Sequence, residues 1–408
     1  MRHPAQRVAY SGSTRVARGR HRKSARGVVA AGVTAALVAA CGSPGGTPSK
    51  TATAGTAPAA TIGVNFNLYP GTPYSWLLNF AQGEGFFSKN GIKASLIPTS
   101  GAPPAFAGLV SGSLQFASGD MINGGVVQDN GTPLEIVAGL MKGNQTLLVG
   151  SRSANLTSSF PAGLKALAGK NVGVVSVGSA AYYYMRLFLS AAGMSPSSVN
   201  YAATTVAPAS LVAALQTQRV SAAVVSLATG YGLAVVDHDP VLFDMDTTTD
   251  SLFPGAIPNP AILASGAPLR VLADRVHQYL WASKPWAKSH PAVVTKVQLA
   301  LEETDVWLHN PANLDAAINY LVNSGGVVKF PGETTKQLHD FLAAEVPLMV
   351  AYVPPGDVSA YQSVYVSQGI LKSALPLGEF VAQGVPASPG QVVSAVDAAG
   401  ASSLGKAA

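Results

Sequence analysis

One cysteine, Cys41, occurs in 408 residues. Whatever folds beyond it can form no internal disulfide and holds no thiol for catalysis, so its stability must come from a buried core. Charge is scarce as well, with Asp, Glu, Lys and Arg making up only 11% of the chain. The apolar run at residues 27–40 is shorter than the roughly 20 residues a membrane-spanning helix needs. Catalytic and metal-binding patterns are also thin. Val174-Val175-Ser176-Val177-Gly178 lacks the first glycine of a G-x-S-x-G nucleophile elbow. Asp237-His238-Asp239 and Asp244, Asp246 and Asp250 form the densest acid/histidine cluster, and Asp244-x-Asp246-x-Thr248-x-Asp250 begins with calcium-loop spacing. It then has Thr249 where such a loop needs glycine and Gly255 where it needs an acid, so it reads as a solvated connector. His277, His290, His309 and His339 are scattered without ligand spacing, so no metal and no cofactor is expected.

What is present begins with charge. Eight of the 26 Lys and Arg residues fall in the first 26 positions, with no acid among them. The remaining 18 oppose 20 Asp and Glu, a balance of −2, so the pI near 9.3 implies no nucleic-acid-binding patch. A basic stretch, a short apolar run and small residues before a cut site describe an export signal. Leu37-Val38-Ala39-Ala40-Cys41-Gly42 resembles a bacterial lipobox, in which the cysteine is lipidated and becomes the mature N-terminus. Residues 1–40 are therefore expected to be a lipoprotein signal peptide and Cys41 the lipid-attachment site, holding the protein outside the cytoplasm on the bacterial cell membrane. Residues 41–60 contain no large hydrophobe and read as a flexible tether.

The ordered part alternates short apolar strands with helices, the pattern of an α/β protein with mainly parallel sheets. Strands are expected at 61–66, 93–97, 114–117, 135–140 and 146–150, with helices at 74–87 and 104–110. The cadence repeats with strands at 171–176, 199–202 and 220–225 and helices at 180–192 and 208–216. Residues 104–118 and 208–226 match in kind: proline, short helix, polar turn, apolar strand, serine. Two copies of one unit point to two similar lobes. Long amphipathic helices follow at 271–283, 291–309, 311–324, 335–346 and 358–368, punctuated by Pro291, Pro311, Gly325 and Gly369. Residues 384–408 form a loose tail.

Three phrases are more specific. Phe80-Ala81-Gln82-Gly83-Glu84-Gly85-Phe86-Phe87-Ser88-Lys89-Asn90-Gly91-Ile92 is the first, and Ala107-Gly108-Leu109-Val110-Ser111-Gly112-Ser113-Leu114-Gln115-Phe116-Ala117 the second. Leu164-Lys165-Ala166-Leu167-Ala168-Gly169-Lys170-Asn171-Val172-Gly173-Val174 is the third. In this order, over roughly residues 60–380, they resemble the solute-binding lipoproteins of ABC importers, in the branch with nitrate-, taurine-, alkanesulfonate- and thiamine-pyrimidine-binding proteins. Gln115 stands where that family usually has an acid, and Arg219-Val220-Ser221 replaces its usual G-x-D-A. The resemblance implies a two-lobed, type II periplasmic-binding-protein fold that closes on a ligand by hinge motion. Lobe one would comprise 61–149 and 262–383, lobe two 150–261, with crossings near 147–152 and 261–265. The implied partners are a small-molecule ligand and an ABC permease with its ATPase; a monomer with no nucleic acid and no enzymatic activity is expected. Fungal relatives of this fold make the thiamine pyrimidine with a cysteine-rich motif and a histidine, which this chain cannot supply after Cys41. A lipoprotein ligand sensor without a transport role is the first alternative, and an enzyme on the same fold the second.

In open α/β sheets, ligands sit at the C-terminal strand ends, where helix N-termini present free N–H groups. That rule selects loops 67–76, 99–102, 118–123 and 141–144 in the first lobe and 176–183, 204–207 and 226–229 in the second. The candidate ligand-binding residues are Tyr69, Thr72, Tyr74, Trp76, Ser100, Gly101, Ser118, Gly119, Asp120, Lys142 and Asn144, with Ser176, Gly178, Ser179, Tyr182 and Ser226. Lys142 is the only cation in these loops, against several aromatics. Such walls suit an organic molecule, a planar heterocycle or an organic sulfonate, better than bare nitrate or bicarbonate. Tyr182, Tyr183 and Tyr184 cannot all face one cleft, because a helix turns about 100° per residue.

Overall fold

The computed structural model describes residues 61–204, 207–245, 269–324, 326–327 and 329–391. The expected signal peptide, Cys41, the tether, Asp246, Asp250, the return crossing at 261–265 and the tail beyond residue 391 lie outside the described residues.

Two five-stranded sheets form the frame. The first takes the order β2-β1-β3-β10-β4, from β1 (Ile62–Leu68), β2 (Ile92–Pro98), β3 (Phe116–Asp120), β4 (Leu134–Lys142) and β10 (Val276–Ser283). The second takes the order β7-β6-β8-β5-β9, from β5 (Thr146–Gly150), β6 (Asn171–Val174), β7 (Asn200–Ala203), β8 (Ala222–Ser226) and β9 (Val241–Asp244). Three neighbouring strands run parallel in each sheet. A fourth then pairs antiparallel on both sides: β10 between β3 and β4, and β5 between β8 and β9. The sheets are thus mixed, where a mainly parallel arrangement was expected, and their strand orders correspond one to one. Residues 104–118 and 208–226, matched in sequence, occupy equivalent helix–strand positions in the two sheets.

The antiparallel strand in each sheet belongs to the chain as it passes between lobes. Thr146–Gly150 pairs in the second sheet, from Thr146 with Ser226 to Gly150 with Ala222. The outward crossing is therefore Gly143–Asn144–Gln145, not residues 147–152, and the lobe boundary lies earlier than 149/150. That crossing is held against the returning chain: the Gly143 amide donates to the Arg275 carbonyl at 2.9 Å and the Asn144 amide to the Ala273 carbonyl at 2.7 Å.

The largest departure from the sequence reading is at 271–283. Only Arg270–Ala273 is helical there, and Val276–Ser283 is the strand β10 in the middle of the first sheet. Val276 through Ala282 are all buried. A strand covered on both faces loses the two-residue alternation that distinguishes strand from helix, which is why its pattern misleads. The expected helix at 74–87 also divides, into Trp76–Gly83 and Phe86–Lys89, where Gly85 at φ 79° breaks the run.

Helices cover the sheets through apolar stripes. Pro291–Leu308 buries Val293, Val294, Val297, Ala300, Leu301 and Leu308, with proline at its first turn where no N–H partner is lost. Thr334 and Gln337 form a capping box that starts Thr335–Glu345. Gly139 on β4 lets the backbone approach closely: a Cβ there would lie 2.3 Å from the Tyr352 carbonyl oxygen, and its amide donates to Ala351. No described helix is long and apolar enough to cross a membrane. Gln115, the departure from the family pattern, joins β3 to β1 by accepting the Asn65 amide at 2.9 Å. In the acid/histidine cluster, Asp239 accepts the Arg152 amide at 2.7 Å and Asp244 is buried at the end of β9, so this stretch is not wholly a solvated connector. Among the described residues no group of His, Cys, Asp and Glu could hold a metal ion.

Candidate ligand-binding site

The C-terminal ends of β1, β2, β3, β6 and β8 converge on a cavity between the two sheets. The first lobe supplies the turn after β1. There the Tyr69 amide donates to Ser75 Oγ at 2.9 Å and Thr72 Oγ1 to the Tyr69 carbonyl at 2.9 Å, a fold-back that presents Tyr69, Thr72 and Tyr74 together. Both tyrosines are anchored at their hydroxyls, Tyr69 to the Ser118 carbonyl at 2.9 Å and Tyr74 to the Gln145 carbonyl at 3.4 Å. Burial pushes both phenols above their ordinary range, so they are neutral.

Asp120 caps helix Met121–Asp129, its Oδ1 accepting the Ile122 amide at 2.9 Å. Tyr184 from the second lobe donates to its Oδ2 at 2.7 Å, and Tyr365 lies 3.3 Å from Oδ1. Asn144 Nδ2 donates in turn to the Tyr184 hydroxyl at 2.7 Å. Burial raises the Asp120 carboxyl to about 6 against these three donors, leaving it ionised at neutral pH. His277, on β10, is pushed the other way: burial lowers it to about 3, opposed by a hydrogen bond to the Gly143 backbone. The ring is neutral. With one nitrogen engaged at Gly143, its Nδ1 is buried without a partner.

The second lobe contributes the start of helix Ala180–Ala191, capped by Ser179, together with Ala180, Ala181 and Tyr184. Val175, Leu211, Val224, Val225 and Ser226 complete an apolar wall. The lobes touch around this space. Asn123 Nδ2 donates to the Gly178 carbonyl at 3.3 Å, and a Cβ on Gly101 would lie 2.8 Å from Val175 Cγ1.

Half of the sequence candidates line the cavity: Tyr69, Thr72, Tyr74, Gly101, Gly119, Asp120, Ser179 and Ser226. The other half do not. Trp76 is fully buried in the core, its Nε1 donating to the Gly326 carbonyl at 2.7 Å. Ser100 is exposed. Ser118 lies behind the wall, donating to the Tyr74 carbonyl at 3.0 Å and accepting from Gln278 Nε2 at 2.7 Å. Asn144 acts through Tyr184, and Lys142, the expected cation, is not part of the lining. Ser176 and Gly178 sit in the loop at the mouth, Gly178 as the acceptor from Asn123. Tyr182 turns away to pack on Tyr183 and Tyr201 beneath Arg186, because the helix phase set by the Ser179 cap delivers residues 180, 181 and 184 to the cleft. Sequence reasoning missed Asn123 as a single residue, although its loop was selected, and missed Thr146, Tyr184, His277 and Gln278. The last two lie on β10 and were lost with the strand.

Two α/β lobes with a cavity at the strand ends between them define a periplasmic-binding-protein fold. The NMT1-like family model matches residues 60–227. No curated protein sequence matches the chain. Among solved structures it is similar to the alkanesulfonate-binding protein SsuA from Xanthomonas axonopodis pv. citri bound to MOPS, at 17% identity and TM-score 0.56 over 78% of this chain and 96% of that one. It is similar as well to the periplasmic aliphatic sulphonate binding protein SsuA from Escherichia coli, at 16% identity and TM-score 0.55 over 80% of this chain and 98% of that one. For the periplasmic nitrate-binding protein NrtA from Synechocystis PCC 6803 the values are 14% and 0.56, over 79% and 85%. At these identities the likeness is one of fold, and it agrees with the resemblance carried by the three sequence phrases.

Proposed function

We propose that this chain is the extracytoplasmic solute-binding subunit of an ABC importer. It captures a small organic molecule between its lobes by hinge closure, presents the closed form to a permease, and performs no catalysis. The observation that carries this reading is the cavity itself. It lies between two separately built sheets, lined from both, with the crossing Gly143–Asn144–Gln145 at its back. The lobes then move about that crossing and its return partner at Ala273–Arg275, with Asn123–Gly178 and Tyr184–Asp120 as contacts made on closing. Lobe one is assigned to 61–142 with the chain after the return, and lobe two to the segment from Thr146 to that return. Lipid on Cys41 anchors a monomer to the membrane through the tether.

Three measurements test this. Denaturing protein purified from its own cells and analysing the released small molecules by mass spectrometry is expected to yield one dominant compound. Deleting the gene is expected to abolish uptake of that compound, whereas unchanged uptake would refute import. Cys41→Ser is expected to move the protein from the membrane fraction to the soluble one.

A further inference from the structure

The cleft is rich in hydrogen-bond acceptors and poor in donors. Among the described residues neither Lys nor Arg lines it, and residues 246–268 contain two aspartates and no Lys, Arg or His. The hydroxyl hydrogens of Tyr69, Tyr74, Thr72 and Ser179 go to backbone carbonyls, and that of Tyr184 goes to Asp120. Among the acceptors in the lining are the Asp120 carboxylate, whose Oδ2 takes a single donor, and His277 Nδ1, unpartnered on a residue only 1% exposed; Asn123, Thr146, Ser226 and Gln278 add neutral polar groups. An unpaired buried acceptor is costly, and a ligand N–H relieves it.

The helix N-termini that would otherwise attract an anion are each weakened. Helix Met121–Asp129 already carries a carboxylate there, its own Asp120. Helix Ala180–Ala191 gives its Tyr182 amide to the Ser179 side chain and keeps only the Ala180 and Ala181 amides for a ligand. Helix Ala102–Ser111 begins Ala-Pro-Pro, so two of its first three residues have no N–H at all. An anion in this cavity would meet a like charge, with no Lys or Arg among the described lining residues to offset its desolvation.

We infer that the cleft takes a neutral or cationic nitrogen compound whose N–H groups are accepted by Asp120 and His277 Nδ1, namely an amine, amidine or amino-substituted heterocycle, and that it rejects sulfonates, carboxylates and inorganic anions. This rests on the solute-binding reading above and decides between the two ligand types that the aromatic loops left open. Tyr69 and Tyr74 supply flat apolar walls for such a molecule.

The test is titration calorimetry at pH 7.5 with four probes of one ring size: benzamidine, benzylamine, benzenesulfonate and benzoate. It is joined to mass spectrometry of whatever the protein retains from its own cells. The amidine or the amine is expected to bind and the two acids not. Asp120→Asn, with folding checked by its urea midpoint, is expected to weaken that binding about tenfold or more, the scale of one charge-assisted hydrogen bond. His277→Phe, which removes the acceptor and keeps a ring, is expected to weaken it as well. A retained compound bearing N–H groups and no acid supports the inference even if no probe binds. Tighter binding of benzenesulfonate or benzoate, a retained acid, or amidine or amine binding indifferent to Asp120→Asn overturns it while leaving solute binding intact. No retained compound and no bound probe overturns both.

Discussion

His277 makes the fold acid-labile in a way that can be isolated. In an unfolded chain its imidazole titrates near 6.5, whereas in the folded protein burial holds it neutral down to about 3. As pH falls through that window the unfolded chain takes up a proton that the folded one refuses, so stability is lost as pH drops. The loss approaches about 1.4 kcal/mol for each unit of pH, or about 5 kcal/mol across the window. Asp120 acts oppositely: its carboxyl is raised from 3.8 to about 6, so acidification through that interval stabilises the fold by about 3 kcal/mol. The perturbation is His277→Gln, which keeps a donor for the Gly143 backbone without the titration. Urea unfolding, followed by the fluorescence of buried Trp76 and Trp281, is run for both proteins between pH 7.5 and 4.5. Other titrating groups cancel in the difference. The wild type is expected to lose ground to the variant below pH 6.5 with a slope near 1.4 kcal/mol per pH unit, and the two to run parallel above it. Parallel curves over the whole range would refute the account of His277 as a buried neutral ring.

Further outcomes follow from contacts elsewhere. Gly101→Ala would press a methyl into Val175 across the cleft and strain a backbone at φ 154°, at a cost of about 1–3 kcal/mol when the lobes are closed. Its ligand affinity should fall at least tenfold, and small-angle scattering should show a larger radius of gyration. Trp281→Ala, emptying a fully buried site on β10 and losing the Nε1 bond to the Gly119 carbonyl, should lower unfolding stability by about 3–5 kcal/mol in the same urea assay. Asp357 holds the start of β10 by accepting from Arg275 Nη1 at 2.7 Å and from the Val276 amide at 2.9 Å. Asp357→Ala should cost about 1.5–3 kcal/mol, toward the lower end because Arg275 is partly exposed, and should quicken hydrogen exchange at the Gly143 and Asn144 amides.

The repeat could be read because each copy keeps its punctuation, proline before a short helix and an apolar strand ending in serine, and local chemistry sets those features. Strand Thr146–Gly150 was legible to the residue, but its sheet was not, since pairing across Gly143–Gln145 is decided by contacts far away in the chain. β10 failed for the opposite reason. Its residues are buried on both faces, and nothing local distinguishes VHQYLWAS from one turn after another of buried helix. That single miss removed His277 and Gln278 from the site. In the first lobe, strand-end logic selected Tyr69, Thr72, Tyr74, Gly101, Gly119 and Asp120, which line one cavity. It could not say which side chains turn inward, because Trp76 and Ser118 differ from their neighbours only in rotation. Tyr182 and Tyr184 show the same limit two residues apart.

The insertion of β10 between β3 and β4 also has a consequence for biosynthesis. Leu280 pairs with both Ser118 and Ala138, so β4 stays apart from β3, with the strand between them missing, until the chain past Ser283 has been made. Every strand of the second sheet lies earlier, between Thr146 and Asp244, so that half can assemble while the other waits. Closing so long a loop is slow. The half of the fold that is made first is therefore the last able to lock.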